Sequence, residues 1–200
     1  MKQHIRVYAG TAGHSAWFSD DLGETWVHPN SHSGLYLEAR VWALCSHPQE
    51  PEFIYAGTDE GVYRWDERAA RWTRLESPLR DVWAIAQDPK NPARLIAGGR
   101  PAALFSSEDA GASWRKLEVP GVAEFSDVNR GPTRVTQILF DGNTVWATIE
   151  IGGIFRSDDG GERWQRLKHE FGEVRALHWR ALPADMPRGA FTITKRTVPA

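Results

Sequence analysis

Two pairs of adjacent carboxylates stand beside tryptophans in this chain: Asp20-Asp21 ahead of Trp26, and Asp158-Asp159 ahead of Trp164. Paired carboxylates are the residue types of acid–base catalysis, in which one group gives a proton and the other accepts one. Their spacing points elsewhere. The first pair lies in Phe18-Ser19-Asp20-Asp21-Leu22-Gly23-Glu24-Thr25-Trp26, and the frame Ser19, Asp21, Gly23, Trp26 comes back. It returns as Ser107, Asp109, Gly111, Trp114 and again as Ser157, Asp159, Gly161, Trp164. A worn copy runs from Tyr63 to Trp72; it keeps Asp66 but has lost the Ser and Gly and gained one residue. A frame that recurs this often is a building element. Its Asp can accept from backbone N–H groups of its own turn, its Gly permits a positive φ, and its Trp offers a large ring to bury.

Other chemistry-bearing patterns are missing. The chain has no G-x-S-x-G elbow, no phosphate loop and no H-E-x-x-H. His28 and His32 are four apart, but Pro29 and Asn30 between them speak against a metal-binding helix. No metal and no cofactor are expected. The single cysteine, Cys45, excludes an internal disulfide and reads as a buried apolar residue. With 24 Lys+Arg against 26 Asp+Glu, the chain lacks the basic excess that phosphate binding needs, so nucleic acid is not an expected partner. No apolar run reaches membrane-spanning length. The start, Met1 to Tyr8, has no apolar signal core, and a cytoplasmic location is the expectation.

The elements that hold the repeated frame can be read from its period. Asp21, Asp66, Asp109 and Asp159 recur at intervals of 45, 43 and 50 residues, about the length of one four-stranded propeller blade. The second unit predicts strands at 40–46, 53–57, 62–65 and 72–75, separated by His47-Pro48-Gln49-Glu50-Pro51, Thr58-Asp59-Glu60-Gly61 and the Asp turn. The third and fourth units repeat this order. The chain therefore reads as all-β: a β-propeller of about four four-stranded blades in one domain, 1–200. Blades are expected at 5–39, 40–79, 80–131 and 132–172. The first starts at its second strand, and 173–180 is expected to complete it. Residues 181–200 read as a tail or, from Phe191-Thr192-Ile193-Thr194, as the start of a fifth unit.

The three intact frames resemble the Asp-box, or BNR, repeat of propellers such as sialidases, sortilin-type receptors and photosystem II assembly factors. The resemblance covers roughly residues 5 to 180. It implies that the frame joins a blade's third and fourth strands on the outer rim, with its Trp buried between blades. The frame residues would then be structural, with no catalytic residue among them. It also implies a ring of six or more blades, so this chain would be an unusual small ring, half of a dimeric ring, or part of a longer one.

Function in such a fold is expected at the channel mouth, where first strands begin and second strands turn into third. Phasing the units places Arg40, Asp81, Arg134 and Glu173 just before the first strands, with Trp42, Trp83, Thr136 and Arg175 two residues on. The second turns add His14, Asp59, Glu60, Arg100 and Glu150. The longer connections 27–39 and 118–133 are expected to overhang the mouth, with Tyr36, Phe125, Asp127 and Arg130 as their candidate contacts. Charge and aromatics in a concave mouth suit a protein, peptide or glycan ligand. The favoured reading is a non-catalytic binding propeller. A second is a sialidase-like hydrolase using Arg40, Arg134 and Arg175 with Glu150 or Asp81, although the Phe/Tyr-Arg-Ile-Pro motif of that family is missing. A third is an incomplete propeller that pairs its open edges in a homodimer.

Overall fold

A computed structural model of the protein describes residues 4–28, 31–124, 131–167 and 189–196. It is all-β, built of four antiparallel sheets. Strands β3 (Val41–His47), β4 (Glu50–Thr58), β5 (Gly61–Asp66) and β6 (Arg71–Arg74) follow one another across one sheet. In the next, β7 (Val82–Asp88), β8 (Asn91–Gly99), β9 (Leu104–Ser107) and β10 (Arg115–Lys116) do the same. A further sheet holds β11 (Val135–Asp141), β12 (Thr144–Ile149), β13 (Gly153–Ser157) and β14 (Gln165–Arg166). The Pro- and Gly-bearing turns between short β-branched runs dictate this hairpin order.

The remaining sheet joins β1 (His4–Thr11) and β2 (Ala16–Ser19) to β15 (Gly189–Arg196), with Val27 bridging Phe18 where an outer strand would lie. The sequence-based expectation placed 173–180 beside β1. Glu173 and Arg175, with the rest of that segment, lie outside the described residues. The partner of β1 is Gly189–Arg196, in continuous register from His4↔Arg196 to Thr11↔Gly189. A strand's partner is set by register and face, and local sequence pattern alone does not choose it.

The sheets stack as blades through their first strands: β15 on β3, β3 on β7, and β7 on β11. Three apolar clusters fill the gaps. One holds Tyr8, Ile54, Trp65 and Trp72; the next holds Tyr55, Val82, Ile85 and Leu95; the last holds Ile96, Leu104, Val135, Phe155 and Trp164. Cys45 packs partly buried against the middle cluster, and burial raises its thiol to about 12. Alternation makes this possible, because successive strand residues serve opposite neighbours. Among the described residues no contact of that extent joins a strand of the fourth blade to a strand of the first.

Close approach between blades is set by a repeated glycine. A Cβ on Gly10 would lie 2.6 Å from Val41 Cγ1, one on Gly57 2.9 Å from Val82 Cγ1, and one on Gly98 2.5 Å from Val135 Cβ. Each glycine of a second strand thus receives the valine that opens the following blade. We predict that Gly98→Ala, which must push Val135 and its blade outward, lowers stability by about 1–3 kcal/mol. Urea unfolding checks this; an unchanged midpoint would mean that the blades are not held by this seat.

Candidate functional site

Blade phasing brings five of the predicted mouth residues into one chain of contacts. Trp42 and Trp83, one residue past the valines of β3 and β7, stack with centroids 4.0 Å apart and planes 9° apart. The Arg134 guanidinium lies over the Trp83 ring at 3.8 Å. Trp83 is therefore bracketed, and Trp42 is the terminal ring of the stack. Its indole N–H donates to Asp81 at 3.0 Å. Arg134 in turn donates to Glu150 at 2.6 Å, across the β11–β12 hairpin whose ends pair as Val135↔Ile149. Offset aromatic stacking contributes roughly 0.5–1.5 kcal/mol beyond burial, and a cation over an indole roughly 0.5–2 kcal/mol. Both Trp42 and Trp83 remain half-buried, and Arg134 with them.

The loops beneath the stack are tied together by main-chain bonds. Asp59 N–H donates to Arg40 O at 3.2 Å, Asp81 N–H to Asp59 O at 3.2 Å, and Arg100 N–H to Asp81 O at 3.0 Å. Asp81 takes a positive φ of 49° to make this turn. The Tyr36 hydroxyl donates to the Asp59 carboxylate, which also accepts from the Arg40 N–H at 3.2 Å. Burial, then the Asp59 carboxylate, pushes the Tyr36 hydroxyl well above its ordinary range. Arg100 reaches across to Pro132 O at 3.0 Å. Three mouth carboxylates are thus engaged: Asp59 with Tyr36, Asp81 with Trp42, Glu150 with Arg134.

The loop 27–39 does not hang over the mouth as expected. Its one-turn helix Ser31–Ser33 sits beside β6, and Leu35 is buried in the cluster between the first two blades. Among its described residues, Tyr36 reaches the site through its hydroxyl bond to Asp59. Residues 125–130, with Phe125, Asp127 and Arg130, are outside the described residues. Among the described residues no group of three or more His, Cys, Asp or Glu could hold a metal ion, and His28 packs its ring on Trp17 at 4.6 Å.

The acidic pairs that opened the sequence reading are occupied by their own turns. Asp21 accepts from Thr25 N–H at 2.9 Å, Thr25 Oγ1 at 2.5 Å and Ser19 Oγ at 2.7 Å. Asp109 does the same with Ser113 and Ser107, and Asp159 with Arg163 N–H and Ser157 Oγ. The serine hydroxyls meanwhile accept from Gly23, Gly111 and Gly161 N–H at 2.7 to 2.8 Å. Their neighbours are paired as well, Asp20 with Arg6 and Asp158 with Arg156, each at 2.6 Å. The Thr25 and Ser113 hydroxyls, seconded by the backbone N–H groups of the same residues, hold Asp21 and Asp109 at about 2. Asp159 is lowered by Arg163 N–H and then by Ser157.

No family model matches the chain. It is 28% identical over 142 residues to a probable oligoxyloglucan-reducing end-specific xyloglucanase of Neosartorya fischeri, covering 64% of this chain and 17% of that protein. It is 29% identical over 111 residues to the chloroplastic photosystem II stability/assembly factor of Arabidopsis thaliana, covering 54% of this chain and 26% of that one. Among solved structures, an ancestral GH74 enzyme superposes with a TM-score of 0.67 at 23% identity, over 82% of this chain and 22% of that one. The chain thus spans about a quarter or less of each of these relatives, and the structural likeness establishes the propeller fold.

Depressed carboxylates give a signed prediction. A group whose folded pKa is lowered contributes stability above its ordinary value, about 3.9 for Asp, and that contribution is lost as pH falls through the folded value. For Asp21 and Asp109 the loss is centred between those limits, ending near about 2. The urea midpoint should fall across this window. Asp109→Asn should lower the midpoint at neutral pH and flatten the acid slope; an unaltered slope would show that the turn does not depend on the charge.

Proposed function

We propose that the protein is a non-catalytic binding propeller that holds a glycan chain against Trp42 at the channel mouth. The observation that carries this reading is the rigid Trp42–Trp83–Arg134 stack. It presents one terminal indole whose N–H is already pinned by Asp81. A preformed ring of this kind offers its apolar face to the C–H face of a sugar with little further ordering cost. Polar groups around it, Asp59, Tyr36 and Glu150, can orient hydroxyls. Hydrogen bonding and ion pairing of the mouth carboxylates support binding over acid–base catalysis. The xyloglucanase relative supports a glycan as the ligand class.

The same relative motivates a second reading, hydrolysis, with Glu150 as the acid in place of a partner to Arg134. The two are separated by one set of measurements. Calorimetric titration with xyloglucan and cello-oligosaccharides should show binding without release of reducing ends. Trp42→Ala should weaken binding at least tenfold, and Arg134→Ala, which frees Trp83 and Glu150, should weaken it less. Equal affinity in Trp42→Ala, or no glycan bound at all, would overturn the proposal. Reducing-end release that disappears in Glu150→Gln would replace it with the hydrolase.

A further inference from the structure

Each blade receives the turn of the next blade, and among the described residues the first blade's turn, at Trp26, has no receiver. The columns can be read off the strand registers. Tyr8↔Phe18, Tyr55↔Arg64, Ile96↔Ser106 and Trp146↔Arg156 are equivalent pairs on the second and third strands of the four blades. Tyr8 shares a cluster with Trp72, Tyr55 with Trp114, and Ile96 with Trp164. Tyr55 also donates from its hydroxyl to Ala110 O in the turn of the next blade, at 3.2 Å. Trp146 is the fourth member of the column, on the outward face of the fourth blade beside Leu139 and Ile154. Leu139 is 55% exposed there.

At the opposite end, the first blade's turn shows the matching surplus. Trp72 and Trp164 are 2% and 8% exposed, whereas Trp26 is 38% exposed and Leu22 beside it 70%. The expectation that every frame tryptophan is buried between blades therefore fails at Trp26, since among the described residues no further sheet packs on that side of the first blade. The glycine seats end in the same way. Gly10, Gly57 and Gly98 receive Val41, Val82 and Val135. The fourth seat is Thr148, which pairs with Gln137, two residues past Val135, as Gly57 pairs with Ala43 and Gly98 with Ala84. The residue that would enter it is the first of β15, Gly189, which pairs with Thr11 as Val41 pairs with Thr58. Large and small have changed places, so the two outer faces of this chain complement each other.

We infer that the outward face of the fourth blade docks the Trp26 turn of a second copy of this chain. Two four-bladed arcs then close a single eight-bladed ring through two identical junctions. Trp26 would pack on Trp146 and Leu139, and Gly189 of one copy would lie against Thr148 of the other. The junction continues the interface already present three times within the chain. It is a head-to-tail contact that closes by rotation, and eight blades are within the range that propellers adopt. A second copy is preferred to an unrelated blade because Thr148 and Gly189 exchange large and small at the same two positions that glycine and valine hold in the three junctions within the chain.

Sedimentation equilibrium of the full chain over micromolar concentrations tests this, with twice the chain mass expected. Trp26→Ser and Trp146→Ser should each weaken association at least tenfold. Urea midpoints of both variants, compared at a concentration where the wild type is monomeric, confirm that each still folds. A Trp26→Cys/Trp146→Cys double variant should oxidise to a covalent dimer. A wild-type monomer throughout, a dimer indifferent to both serine variants, or a double variant that closes within one chain would each overturn the inference.

Discussion

A blade of this chain can bury its faces only against other blades. Each four-stranded sheet has two apolar sides and almost no independent core, so the structure depends on how closely one sheet approaches the next. That approach is fixed where a second-strand glycine meets the next blade's opening valine, at Gly10–Val41, Gly57–Val82 and Gly98–Val135. Around the rim the same junctions are latched by the repeated turn. Arg6 donates to Glu67 at 2.9 Å, and Arg94 to Gly160 O, each reaching forward from one blade into the turn of the next. Seat and latch together set the angle between blades, and that angle brings residues distant in sequence to one mouth.

The Trp42–Trp83 stack is a product of that angle. The two rings sit at the same place in successive blades, and only a close and near-parallel approach of β3 and β7 puts them 4.0 Å apart. Arg134 enters from the following blade and caps the far side. Three blades thus build one surface from residues far apart in sequence. Acidic groups, which first draw attention at Asp20-Asp21 and Asp158-Asp159, serve the latch on the opposite side. The chemistry most conspicuous in the sequence is the scaffold's, and the site is made from residues that look ordinary until the blades are phased.

Strand order and blade phase were legible because the Ser-Asp-Gly-Trp frame recurs with a nearly constant period, and each copy carries its hairpins with it. Arg134 and Glu150 were legible as mouth residues from blade phase, and their pairing follows from flanking one hairpin. Two features were not. The strand beside β1 could not be chosen from pattern, since 173–179 matches the first-strand type at least as well as Gly189–Arg196, and register decides between them. The exposure of Trp26 could not be read either, because its frame is as complete as those of Trp114 and Trp164; what differs is that, among the described residues, no sheet packs on that side of the first blade. Coplanarity of Trp42 and Trp83 depends on the angle between blades, for which sequence has no local signal.

In the proposed binding mode, ligand meets the mouth stack while the acidic turns are structural. Hydrogen–deuterium exchange with and without a bound oligosaccharide tests it most directly. Binding at the stack should add protection at residues 36–42, 59–61 and 81–83, and none at the turns 19–26, 107–114 and 157–164. Protection centred on those turns, with the mouth unchanged, would contradict it.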